Sequence, residues 1–165
     1  MNPNPNPAAL FQIGLPYYQG GAFRRADSAF QAYSQAFPDS VFGYLWSARS
    51  LARIDSTSSQ GLAIPQYEKL LSVSEKDKAR FKPYGMEAAG NLANYYVNVK
   101  GDREKGIYYL SKGLEFDPEN TSFKTAIDKL KKSSGGKQSA GSPAKSSAAE
   151  TKVKVEGDKT KIKKG

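Results

Sequence analysis

Residues 10–38 read LFQIGLPYYQGGAFRRADSAFQAYSQAFP, and this stretch decides the fold. Leu10, Ile13, Gly14 and Tyr17 recur at steps of three and four, which places them on one face of a helix over residues 8–19. Gly20-Gly21 interrupts the pattern. A second helix fits residues 23–37, with Ala26, Ala29, Phe30, Tyr33 and Phe37 facing inward and Pro38-Asp39 as its stop. Neither helix hides its apolar face alone, so the two read as an antiparallel hairpin that needs neighbours.

Working outward, the same grammar continues to residue 132. A third helix over residues 42–54 carries Tyr44, Leu45, Ala48, Leu51 and Ala52, with Trp46 turned toward a neighbouring element. After the polar break at residues 55–61, a fourth begins near Leu62 on Ala63, Tyr67, Leu70 and Leu71, with Pro65 in its first turn, where a missing N–H costs little. The fifth starts between Asp77 and Pro83 and runs on Tyr84, Ala88, Leu92, Tyr95 or Tyr96, and Val99. Gly101-Asp102 turns the chain into a sixth, on Gly106, Tyr109, Leu110, Gly113, Leu114 and Phe116. A seventh shows Phe123, Ala126, Ile127 and Leu130 inward, and its polar outer face suits the cap of a stack of helix pairs.

The first unit carries Leu10, Ile13, Gly14, Tyr17, Ala26, Phe30 and Pro38 at the steps of a repeat of about 34 residues. The third unit repeats it with Ala89, Leu92, Ala93 and Tyr96, then Gly106, Leu110, Gly113, Leu114 and Pro118. The middle unit keeps the within-helix steps, but its connection is longer and its closing proline is missing. Gly14, Ala26, Ala48, Ala63 and Ala93 are the small residues expected where helix backbones approach most closely. A generic helical bundle is the alternative. This pattern resembles the tetratricopeptide repeat family, and GYLWSARSLARID (43–55) with GLAIPQYEKLL (61–71) resembles a segment of Bacteroidetes tetratricopeptide proteins. The resemblance covers about three quarters of the chain and implies an all-α, right-handed superhelix of three helix pairs plus a capping helix. It places the repeat domain at residues 8–132, after a proline- and asparagine-rich leader at residues 1–7. Relatives of this kind are usually longer and exported, so the chain reads as the C-terminal part of one.

Composition narrows the chemistry. With no cysteine and no histidine among 165 residues, disulfides, thiolate metal sites and imidazole catalysis are excluded. No phosphate-binding glycine loop, nucleophile motif or metal-ligand spacing occurs, and no cofactor or membrane-spanning segment is expected. Asp102 with Glu104, and Asp117 with Glu119, sit at helix ends where acids serve as caps. The expected function is noncatalytic binding of a protein or peptide. In the resembled fold the concave groove is lined by the first helix of each pair. Matching positions here are Phe11, Leu15, Tyr18 and Gln19; Phe42, Leu45, Arg49 and Arg53; and Asn94, Val97 and Asn98. The plainer alternative has Arg49 and Arg53 solvating a helix face, with Phe42 or Leu45 packed internally.

The chain carries 25 basic and 16 acidic side chains, a net +9, and eight of its lysines lie beyond residue 132. This tail, residues 133–165, has lysine and small polar spacers without arginine or aromatics. A polyanion or nucleic acid is thus the alternative partner, and a solubilising linker the plainer reading. Residues 135–149 are expected to be disordered. Residues 152–163 alternate Val153, Val155, Thr160 and Ile162 with charge around Gly157-Asp158, a hairpin pattern too short to be stable alone.

Overall fold

In the computed structural model, which describes residues 6–134, seven α-helices follow one another with no strand among the described residues. They are α1 (Pro7–Gln19), α2 (Phe23–Ala36), α3 (Val41–Ile54), α4 (Ile64–Ser74), α5 (Lys82–Asn98), α6 (Arg103–Leu114) and α7 (Thr121–Ser134). Their ends follow local chemistry. Ser40 caps α3 by accepting from the Phe42 N–H, and Asp102 caps α6 by accepting from Lys105 N–H at 2.9 Å. Pro65 and Pro83 stand in the first turns of α4 and α5. Pro83 also settles where α5 starts. The chain leaves α4 through a single 3₁₀ turn, Glu75–Asp77, and re-enters helix only at Lys82. Expectations about residues 135–165 lie outside the described residues.

Extensive contact is confined to consecutive helices, α1 with α2 through α6 with α7, as expected of a repeat stack. Side chains add the second dimension. Phe11 meets Phe42, Phe42 meets Tyr84, and Gly90 faces Phe123, so α1, α3, α5 and α7 lie side by side in one layer. Glu68 of α4 receives the Tyr109 hydroxyl of α6 at 3.0 Å in the other layer.

The main core joins Val41, Leu45 and Ala48 to Tyr67, Leu70, Leu71, Ala88, Leu92 and Phe116. A smaller one, Ala93, Leu110 and Ile127, sits under α7. All five small residues singled out in the sequence are buried. Gly14 shows why: a Cβ there would stand 2.6 Å from the Phe30 ring. Two inward assignments are corrected. Ile13 is 47% exposed because α1 has a covered face only toward α2 and α3, and Phe37 is 40% exposed because α2 ends one residue before it. Phe37 packs instead on the rim, 4.9 Å from Tyr33.

The polar break at residues 55–61 is organised by one buried side chain. Asp55 accepts from the Gln60 and Leu62 N–H groups at 3.0 and 3.3 Å, folding the long connection between α3 and α4 into a closed loop. Sequence reading treated Asp55 only as part of a linker.

Candidate functional site

The inner layer divides the residues expected to line the groove into three groups. At the N-terminal ends of the helices, Phe11 and Phe42 form an aromatic row with Tyr84, at ring separations of 6.1 and 5.7 Å. Phe11 is half-buried against Phe30 and Tyr33, whereas Phe42 is 41% exposed. Leu45 leaves the groove altogether. At 2% exposure it belongs to the main core, because its position on α3 faces the interior rather than the layer's open side.

The middle of the face is held by a charge pair. Arg49 of α3 donates both Nε and a terminal nitrogen to the two carboxylate oxygens of Glu87 on α5, at 2.8 and 2.5 Å. This bidentate geometry spends the fork that the sequence reading assigned to a partner's carboxylate. The hydrogen bond to Glu87 also raises the Arg49 pKa, against the opposing effect of burial. The guanidinium lies 5.0 Å over Trp46, whose edge contact with Tyr18 measures 5.1 Å. Arg53 is different: it is exposed, rests 5.3 Å over Phe23, and makes no ion pair among the described residues. Leu15 is half-buried and Gln19 is exposed at the end of α1.

Tyr67 lies under this pair. Burial, then the negative charge of Glu87, pushes its phenol up to about 12. The fold therefore favours the neutral phenol, and its contribution is present below an ordinary tyrosine pKa of about 10 and lost as pH rises toward 12. Tyr67→Phe is expected to lose less stability than the parent chain between those pH values, by about 2 kcal/mol. Urea titrations across that range measure it. Parallel losses in both proteins would show that Tyr67 is not the titrating group.

The third group is Asn94, Val97 and Asn98, which the structure does bring together. They line an open cleft of about 350 Å³ between α5 and α7, floored by Ala93, Leu110, Phe123 and Leu130. Asn98 donates its amide to Asn94 at 2.6 Å, so both exposed amides stand on the rim of an apolar slot with Lys129 opposite. The contribution of α7 was missed. Its sequence was read as a solvating cap, although its place after three helix pairs makes it a fourth inner-layer helix. Glu87 was missed too, since nothing local marks a partner 38 residues from Arg49.

Among the described residues no group of His, Cys, Asp and Glu is arranged to hold a metal ion, and no helix is long and apolar enough to cross a membrane. Paired helices in two layers, close-packed through glycine and alanine, define a tetratricopeptide-type helical repeat, a fold associated with noncatalytic scaffolds for peptides and proteins. Over 77% of its length the chain is similar to the C-terminal part of a TPR repeat-containing protein from Cytophaga hutchinsonii, with 32% identity and a TM-score of 0.70. It spans about half, 49%, of that crystallised chain. It also shares its fold with the type III secretion chaperone SycD of Yersinia enterocolitica in complex with a peptide of the translocator YopD. There the identity is 18%, the TM-score 0.53, and the coverage 77% of this chain and 93% of that one. An alternative dimer of SycD gives 19%, 0.51, 78% and 93%. No family model matches the chain, and no curated protein matches it significantly.

Proposed function

We propose that the chain holds an extended segment of a partner protein across the face of α1, α3, α5 and α7. The observation that carries this is the α5–α7 cleft, where an apolar floor lies beside two side-chain amides. A partner's aliphatic side chain fits the slot. The Asn94 and Asn98 amides supply donors and acceptors for its backbone, and Arg53 offers a cation that makes no ion pair among the described residues. SycD, bound to a peptide of its translocator, shares this fold.

A peptide selected from a random phage-displayed library against the whole chain provides the probe. Its affinity is expected to fall about tenfold when Asn94 and Asn98 are both changed to alanine, and to survive removal of residues 135–165. Binding that instead disappears with the lysine-rich tail and weakens steeply with salt would transfer the function to polyanion recognition.

A further inference from the structure

The turn between α2 and α3 carries a second cleft, which has only Phe42 in common with the residues expected to line the inner face. Its volume is about 380 Å³, and its walls include Tyr33, Phe37, Asp39, Phe42, Arg80 and Phe81. Four large hydrophobic side chains are exposed among the described residues, and two of them, Phe37 and Phe42, stand here. One exposed aromatic is ordinary on a protein surface; two in the same concavity mark a contact surface.

Charge defines the occupant. The Arg80 guanidinium is braced 5.1 Å over the Phe81 ring, and among the described residues it makes no ion pair or side-chain hydrogen bond. Neither nearby carboxylate pairs with it: Asp39 is held by Lys76 at 2.5 Å, and Asp77 accepts from the Arg80 backbone N–H at 3.1 Å rather than from the guanidinium. Arg80 and its neighbours thus present a planar cation with unspent donors beside an aromatic wall. A carboxylate satisfies the cation, and an apolar side chain next to it covers the phenylalanines. A lone guanidinium is too little charge to grip a nucleic-acid backbone.

We infer that this edge docks a partner peptide presenting an apolar side chain immediately beside a carboxylate. The site shares no residue with the α5–α7 cleft, so either can exist without the other.

The test titrates isotope-labelled full-length chain with acetyl-Gly-Ser-Phe-Asp-Gly-Ser-amide and follows backbone amide shifts. Shifts are expected at residues 37–42 and 80–81. The counterpart with Asn for Asp is expected to bind about tenfold more weakly. Arg80→Gln should make the two peptides bind equally, and Phe42→Ser should weaken both while the rest of the spectrum stays folded. Equal binding of the two peptides to the unmodified chain overturns the inference. So do shifts confined to residues 94–98 and 123–130, which assign the peptide to the inner face, and shifts confined to residues 135–165, which assign it to the tail.

Discussion

Phe30→Ala is expected to remove most of the stability margin of this domain, about 3–5 kcal/mol, and to lower the unfolding midpoint by 10 °C or more, roughly. Phe30 is fully buried and joins three helices. Its ring fills the space that Gly14 leaves on α1, meets Phe11 edge-on at 5.7 Å, and stacks on Trp46 of α3 at 6.0 Å. Truncation leaves a cavity bounded by backbone on one side and large rings on the other, which cannot collapse without moving α1. A small domain has about 5–15 kcal/mol in all, so the effect is near-fatal at physiological temperature. Thermal melts followed by circular dichroism measure it. A loss under about 1 kcal/mol would mean that α1 is not anchored through this residue.

Adding atoms at Gly43 is expected to do comparable damage by the opposite route. A Cβ there would stand 3.0 Å from the Phe30 carbonyl oxygen and 3.0 Å from the Tyr33 ring, and would displace the buried Ser34 hydroxyl from its bond to that same carbonyl. The nearest obstruction, the Ser34 hydroxyl, moves only by giving up that bond, and the helix carbonyl beside it cannot rotate aside. Gly43→Val therefore forces α2 and α3 apart and costs about 2–3 kcal/mol, despite a few tenths of a kcal/mol gained in helix propensity. Gly90 supplies the contrast, since a Cβ there meets only the Phe123 ring at 3.5 Å, ordinary contact. Gly90→Ala should be neutral or stabilising by up to about 1 kcal/mol. Equal destabilisation at both positions would refute the assignment of Gly43 to a close helix crossing.

These residues also show what the sequence could and could not convey. Periodicity located all seven helices, because the steps of Leu10, Gly14, Ala26 and Phe30 record a local fact, the face each residue occupies on its own helix. The groove is not local. Leu45 and Arg49 lie four apart on α3, yet one enters the core and the other reaches Glu87 on α5, a difference that the sequence of α3 alone does not contain. Matching positions to a fold therefore recovered Asn94, Val97 and Asn98 as neighbours on one helix, but not the Phe123 and Leu130 opposite them. Those come from a separate helix, and only packing reveals the slot between.

That slot has a consequence for how the molecule comes apart. Each helix rests mainly on its sequence neighbours, so opening the stack at one end leaves contacts at the other intact, and stability is graded along the chain. Helix α7 has extensive contact with α6 alone, touches α5 mainly through Phe123, and rests chiefly on the smaller of the two cores. The wall of the cleft is thus the part that frays first. A ligand seated between α5 and α7 works as a clasp: it must wait for a closed end, and once in place it holds that end shut.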